Sequence, residues 1–395
     1  MRVVYVTQTA FLDTALNRIR ALSKLVDLHL VLELTPQSWT ESFFDIGPRL
    51  LHDGVVSAVS LLTEALPPGV AHYWQGLSSA NLAVFKDSRS ISPRVMRTSQ
   101  VVAKAIERLR PDVLHLDEAT TRLGWGLWRL RRVPTVMTIH DPLPHSGAGS
   151  WRVELPKKLS YWQVDRFILQ NRGGLEQFSR RYRVSKQRID VALMGPCDVL
   201  RDWVPDACAA RDRGSVLFFG RMASYKGLDV FEKAVSIAAK VVPNLRVIAA
   251  GAPMTGFFPP TSHPLENGGA FEVRARHIPT REAAHLFANA DLVVLPYRDA
   301  TQSGVVLSAF AFGVPVVASN VGGVPEYVGD GDNGLLVEPG NARELATAIV
   351  RVMGDEGLKR LLKDGVHRRQ AADLGWERVA ADHIESYRRA IRGKR

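Results

Sequence analysis

At 395 residues and 46% hydrophobic composition, the chain is long enough for two domains, each burying its own core. Its 51 Lys+Arg and 40 Asp+Glu give a formal net charge of +11, and the excess is uneven: 26 basic against 17 acidic residues in 1–195, then 25 against 23 in 196–395. Two cysteines, Cys197 and Cys208, exclude a disulfide framework and lack metal-ligand spacing, while no apolar run has the length of a bilayer-spanning helix.

The opening MRVVYVTQTAF reads as a strand, because its apolar run is too short for a signal peptide; a cytoplasmic protein is expected. The first half then alternates as an α/β domain does. Val3–Thr7 is a strand, Thr14–Val26 a helix and Leu28–Leu34 a strand. In Trp39–Asp87 the hydrophobics, Phe43, Phe44, Tyr73 and Trp74 among them, settle into no single period. Arg94–Leu109 has the spacing of an amphipathic helix stopped at Pro111, and Val113–Leu116 and Thr135–Ile139 are short buried strands.

Thr138-Ile139-His140-Asp141-Pro142 closes that last strand with a polar pair, able to orient a hydroxyl or share a proton. A histidine satisfied by local backbone is the plainer alternative. His115 and His145 lie near enough in sequence for a metal site, but catalytic metal sites usually combine histidine with clearly placed carboxylates. No metal and no cofactor are expected.

Much of the basic excess lies in Trp151–Asp190, with Lys157, Lys158, Arg166, Arg172, Arg180, Arg181, Arg183, Lys186 and Arg188. Such a field suits an anionic partner: an acidic glycan, a lipid phosphate or the inner face of a membrane met peripherally. A solvated surface without a partner is the alternative. Nucleic acid is not expected, since aromatic interleaving and a recognised motif are both missing. A polar linker from Met194-Gly195-Pro196 to Arg213, punctuated by Pro205, leads out of the first domain.

The second half carries the sharper signals. Ser215–Gly227 (SVLFFGRMASYKG) is a buried strand, Gly220 where it ends, then Arg221 and Lys226 before Gly227 and a helix over Val230–Val241. Arg grips a phosphate with two parallel bonds and Lys supplies a compact charge, here at a strand's C-terminal end, where open α/β sheets bind ligands. Ala290–Leu295 is a second buried strand. Ser303-Gly304-Val305 opens a helix with apolar positions Val306, Leu307, Phe310 and Ala311, closed by Gly313, and Val314–Ser319 is the next strand. That helix start, with free amides and a positive dipole end, is a seat for phosphate. Asp330-Gly331-Asp332 sits in DGDNG before a short strand and reads as a turn, not a metal site. Ala342–Val352 and Trp376–Ile391 are helices, and the chain ends in the basic RRAIRGKR.

G-R-x-x-x-x-K-G at 220–227, P-Y-R-x-A-T-Q-S-G-V at 296–305 and A-F-A-F-G-V-P-V-V-A-S-N-V-G-G-V-P-E at 309–326 resemble the retaining glycosyltransferases of family 4. The resemblance covers Ser215–Pro339 strongly and the first half weakly. It implies an α/β GT-B fold, two Rossmann-like domains facing across a cleft: 1–195 on the acceptor side, 196–375 binding the nucleotide sugar, and 376–395 a helix returning to the first domain. It also implies metal-independent sugar transfer from a nucleotide sugar to a glycan, lipid-linked or small-molecule hydroxyl. Gly220, Arg221, Lys226, Ser303, Gly304, Val305 and Ser308 would bind the donor, and His140, Arg221 and Lys226 would act in catalysis.

Two departures stand out. The family's glycine-rich acceptor loop after the first strand is replaced by Gln8-Thr9-Ala10-Phe11, and its two glutamates, eight positions apart, fall at Ala300 and Ser308. A nucleotide-sugar epimerase of the same fold, or a non-catalytic homologue that holds a nucleotide sugar or glycan, are the alternatives.

Overall fold

The structure, a computed structural model, describes residues 1–36, 38, 52–65, 68–87, 89, 92–119, 122–140, 142, 158, 160–204 and 214–394. Phe43, Phe44, Asp141, His145, Lys157, Pro205 and Cys208 lie outside them. The chain divides into two compact units, Met1–Gly195 together with Trp376–Arg395, and Pro196–Gly375.

In the first unit β1 (Arg2–Gln8), α1 (Leu12–Ser23) and β2 (Asp27–Leu34) are followed by β3 (Gly54–Ser57), α2 (Val59–Ala65) and β4 (Ser79–Val84). Then come α3 (Pro93–Arg108), β5 (Val113–Asp117), α4 (Gly124–Leu127), β6 (Thr135–Ile139), β7 (Arg166–Leu169), α5 (Leu175–Tyr182) and β8 (Ile189–Val191). They build one sheet in the order β3-β4-β2-β1-β5-β6-β7-β8, parallel except where β3 runs antiparallel to β4. The stretch before β4 has no single period because it breaks into a short edge strand, a short helix and a 3-10 turn over Pro68–Tyr73. Thr9–Phe11, where the glycine-rich loop is missing, is likewise a 3-10 turn.

Strand alternation sets the two faces. Val4, Val6, Leu114 and Leu116 join Val102 and Ile106 of α3, with Phe167 and Phe178, in one core. Tyr5 and His115 point the other way, toward α1 and the last helix. Ser92 Oγ caps α3 by accepting the Val95 N–H at 3.2 Å, and Pro93 opens the helix, so its start is set locally.

The second unit runs β9 (Ser215–Phe219), α6 (Leu228–Ala238), β10 (Arg246–Ala250), β11 (His263–Pro264), β12 (Ala270–Arg274), α7 (Thr280–Asn289) and β13 (Ala290–Leu295). It continues with α8 (Gly304–Ala311), β14 (Val316–Ser319), α9 (Val324–Tyr327), β15 (Gly334–Val337), α10 (Ala342–Gly354) and α11 (Glu356–Ala371). Its sheet order is β11-β12-β10-β9-β13-β14-β15, parallel apart from β11. β9 and β13 are adjacent, so the loops leaving both emerge at the same edge. The last helix, α12 (Trp376–Lys394), belongs to the first unit, where Tyr387 is fully buried. Among the described residues no helix is long and apolar enough to cross a membrane.

Candidate functional site

The loops after β9 and β13 are locked together at the start of α8. Gly220 leaves β9 at φ +112°, a conformation L side chains rarely adopt, and its α-carbon faces Lys226 and Val305: a Cβ there would lie 3.4 Å from Lys226 Nζ and 3.6 Å from Val305 Cγ2. Gly227 lets the turn Ser224–Lys226 lie against the exit of β13, since a Cβ at this position would come within 1.9 Å of the Pro296 carbonyl oxygen. Arg298 then pins the two loops. Its backbone N–H donates to Tyr225 O at 2.7 Å, and its guanidinium grips both oxygens of Asp229 at 2.8 and 2.6 Å. Those bonds hold the Asp229 carboxyl below its ordinary value.

Lys226 and Ser303, 77 positions apart in the sequence, are joined by one side chain. Lys226 Nζ donates to Tyr297 Oη at 2.9 Å and sits 4.4 Å from the centre of that ring, and Tyr297 Oη lies 3.3 Å from Ser303 Oγ. Tyr297 is buried, so the ammonium is held by a fixed phenol and a ring face. Sequence reasoning quoted Tyr297 within the motif but gave it no role. An aromatic hydroxyl directly after a buried strand was the available signal.

Ser303 precedes α8 with an extended backbone and makes no side-chain cap. The first amides of the helix, on Gly304 and Val305, have no carbonyl one turn earlier to bind. A Cβ on Gly304 would meet nothing within 4 Å, so the first residue of the helix is open to solvent. Arg221 is exposed and has no hydrogen bond or ion pair among the described residues. Lys226 and the start of α8 are thus brought together through Tyr297, and Arg221 lies on the same loop as Lys226. Ser308 lies one turn into α8, with its Oγ donating to Gly304 O at 3.0 Å, which leaves the oxygen's lone pairs as acceptors. Ala300 is buried, and its carbonyl packs where a Cβ on Gly322 would stand, 1.6 Å away.

Asp330 and Asp332 are engaged locally. Asp330 Oδ1 accepts the Leu336 N–H at 2.9 Å and Asp332 Oδ1 accepts from Arg368 Nη2 at 2.7 Å. Among the described residues no three His, Cys, Asp or Glu side chains gather as metal ligands.

His140 lies in the first unit at the end of β6, in a polar cluster inside the fold. Its Nε2 is 2.9 Å from Asp117 Oδ1, its N–H donates to Glu118 Oε2 at 2.9 Å, and its ring stacks on Phe11 with centroids 4.1 Å apart. Asp117 also accepts from Arg18 Nη1 at 2.8 Å and from Thr7 Oγ1 at 2.9 Å, while Arg18 Nη1 reaches Tyr5 Oη at 2.7 Å. Burial alone would raise the Asp117 carboxyl, but Arg18 and His140 reverse this and hold it well below the usual carboxylate range. Half-buried Asp13, at the start of α1, is instead pushed up to about 6 by burial, against the pull of the Thr14 N–H and His140. His115 binds Tyr387 Oη through Nδ1 at 2.6 Å and Thr138 Oγ1 through Nε2 at 2.8 Å, and burial keeps it neutral. The histidine of the sequence motif therefore has an ionised aspartate behind it, from a strand end (HLD) that sequence reasoning passed over. Near the end of β4, a cavity of about 760 Å³ is lined by Lys86, Arg89, Arg94 and Arg97 with Asp53 and Asp87.

Comparisons with known proteins agree on both halves. Residues 213–355 match the family described as Glycosyl transferases group 1, and residues 49–195 match the Glycosyl transferase 4-like domain. A D-inositol 3-phosphate glycosyltransferase from Paenarthrobacter aurescens is 34% identical over 381 residues, covering 88% of this chain and 92% of that one. Among solved structures, Anabaena HepE in complex with UDP-glucose has a TM-score of 0.64 at 17% identity, covering 98% of this chain and 100% of that chain. Sucrose-phosphate synthase from Thermosynechococcus elongatus has a TM-score of 0.62 at 18% identity, covering 100% of both chains.

Proposed function

The chain belongs to the glycosyl transferases group 1 family and is a glycosyltransferase of GT-B fold, and we propose that it moves a sugar from a nucleotide sugar to an acceptor hydroxyl with the anomeric configuration kept. The observation that carries this reading is the start of α8, where Tyr297 holds the Lys226 ammonium beside Ser303, with Arg221 unpaired among the described residues on the same loop as Lys226. A nucleoside diphosphate carries the complementary charge. On this reading the second unit binds the donor. Arg221 and Lys226 neutralise the diphosphate as the bond from the sugar's anomeric carbon to the phosphate oxygen breaks. The acceptor oxygen forms its bond to the same carbon on the same face, and its proton passes to a phosphate oxygen of the leaving diphosphate. Ser308 contacts the donor ribose with one hydroxyl, where a carboxylate would accept two bonds. His140, oriented by Asp117, is the first unit's candidate for the reaction. Anabaena HepE, solved with UDP-glucose, supports a nucleotide-sugar donor.

The first unit takes the acceptor side. Its basic charge, and a relative named for D-inositol 3-phosphate, support an anionic or lipid-linked acceptor met at a membrane surface. The deciding experiment incubates the protein with a panel of nucleotide sugars, with and without acceptors, and follows nucleotide release. Acceptor-dependent release supports transfer. Release without acceptor would mark an epimerase of the same fold, and binding with no release a non-catalytic homologue.

Charge neutralisation by Arg221, Lys226 and α8 leaves no step that needs a divalent ion. Transfer should therefore survive excess chelator within about twofold. Loss of activity in chelator, restored by a divalent cation, would refute this part of the mechanism.

A further inference from the structure

The most basic stretch of the first unit carries much of its charge in internal pairs. In 160–190 the cations are largely engaged: Arg166 grips Asp190 at 2.7 Å, Arg180 and Lys186 both bind Glu176, and Arg188 donates to the Val164 and Asp165 carbonyls. Arg181 lies against the Tyr182 ring. On α3 and the segment that packs along it Arg94 pairs with Asp53, but Arg97, Lys104, Arg108 and Arg132 have no ion pair among the described residues.

Arg97, Val101, Lys104 and Arg108 follow one another at four, three and four residues, which places them in one stripe down the exposed side of α3. Val101 is 50% exposed and Met96, elsewhere on the same helix, 40%. Alongside runs 124–132, held close because Gly126 has no side chain: a Cβ there would stand 2.5 Å from the Ser99 carbonyl oxygen. Gln100 Nε2 donates to Trp125 O at 2.7 Å, and Arg129 Nε pairs with Glu107 at 2.6 Å, fixing the register of the two segments. This mounting presents Trp125 and Trp128, 41% and 66% exposed, next to the cationic stripe. Arg131 stacks over the Trp128 ring at 4.2 Å, and Arg132 is exposed beyond it. Among the exposed charged residues of these two segments, Arg94, Arg97, Lys104, Arg108, Arg129, Arg131 and Arg132 are basic and Glu107 is acidic.

Exposed tryptophans on a segment beside a cationic stripe suit one environment above others. Indole rings settle at the headgroup level of a bilayer, and Lys and Arg beside them are drawn to anionic headgroups by about 1 kcal/mol each. We propose that the face formed by α3 and residues 124–132 docks on an anionic phospholipid membrane, with Trp125 and Trp128 inserted at the headgroup level and Arg97, Lys104, Arg108 and Arg132 against the lipid phosphates. The proposal rests on the reading that the first unit meets a membrane, and it assigns the face that does so. Neither the candidate donor residues nor the His140 cluster takes part in it.

The test is flotation of the full chain with vesicles of phosphatidylglycerol and phosphatidylcholine, against phosphatidylcholine alone. Wild type should float with the anionic vesicles only and be released by salt. Lys104→Glu/Arg108→Glu should lower the partition about tenfold or more, and Trp125→Ala/Trp128→Ala should weaken it comparably, with acceptor-dependent transfer to a soluble acceptor unchanged. Arg180→Glu/Arg183→Glu should stay within about twofold of wild type. Brominated lipid should quench the protein's fluorescence in wild type and much less in Trp125→Phe/Trp128→Phe, which keeps an aromatic and isolates insertion from folding. Equal recovery of wild type with both vesicles overturns the face and the membrane reading together. Loss of flotation in the Arg180/Arg183 variant, with Lys104/Arg108 unaffected, overturns the face alone. Binding to anionic vesicles without quenching marks a general polyanion contact and overturns insertion.

Discussion

Replacing Arg221 or Lys226 by alanine should lower kcat about a hundredfold or more while leaving the melting temperature within a degree or so of wild type. The two residues meet different surroundings, and both lead to this result. Arg221 is exposed and unpaired among the described residues, so its removal opens no core and breaks no internal bond. Lys226 is fixed by Tyr297 at 2.9 Å, so it waits in position and little is lost to ordering when charge grows on the leaving phosphate. Removing one such pre-placed donor typically costs two to three powers of ten in kcat. The charge on the departing diphosphate is larger in the transition state than in the bound donor, so kcat should fall more than KM rises. Tyr297→Phe separates position from charge: it keeps the ring under Lys226 but removes the hydroxyl, and a fall of about threefold to tenfold is expected. Steady-state kinetics with matched melting curves check the set. Unchanged kcat in both alanine variants would remove the diphosphate role from this loop.

How far the sequence reached depended on the range of the interactions involved. β13 and β6 have the bounds their apolar runs announced, and α3 begins one residue earlier than Arg94 because Ser92 and Pro93 set its start. Such elements are encoded within one or two turns of chain. Within the region from Trp39 to Asp87, the described part from Gly54 to Tyr73 was opaque for a physical reason: an antiparallel edge strand, a short helix and a 3-10 turn impose different periods on neighbouring residues. The candidate site divides in the same way. Gly220, Arg221, Lys226 and Ser303 were legible because a glycine at a strand end and a Ser-Gly helix start are local devices. Tyr297, which joins Lys226 to Ser303, and Arg18, which meets Asp117 across 99 positions, were not, because pairing at that distance leaves no local pattern. Charge pairing divides the same way: Arg180 and Lys186 bind the nearby Glu176, whereas Arg166 reaches Asp190 across 24 positions.

Arg18→Met should destabilise the first unit by about 3–5 kcal/mol, a loss tied to charge and not to volume. Arg18 is 1% exposed and holds Asp117 Oδ1 and Tyr5 Oη from one nitrogen, so methionine fills the space but strands a buried carboxylate. In the wild type, burial pushes the Asp117 carboxyl up and Arg18, ahead of His140, pulls it down. Its net depression means that the wild-type contribution is present above the ordinary carboxylate value and lost as pH falls through the folded one. Without Arg18 the burial effect dominates and the sign reverses: the carboxyl is raised, so the penalty grows as pH rises and is relieved on acidification. The variant should therefore lie closer to wild type at pH 5 than at pH 8. Adding Asp117→Asn should recover much of the loss, since no buried charge is then unpaired. Hydrogen exchange of β1 and β5 peptides in urea reads the first unit by itself, which a whole-chain melt of two units does not. A loss equal at both pH values and untouched by Asp117→Asn would make Arg18 a packing residue. Recovery in the double variant, with kcat still low, would tie Asp117 to holding His140 in addition to stabilising the fold.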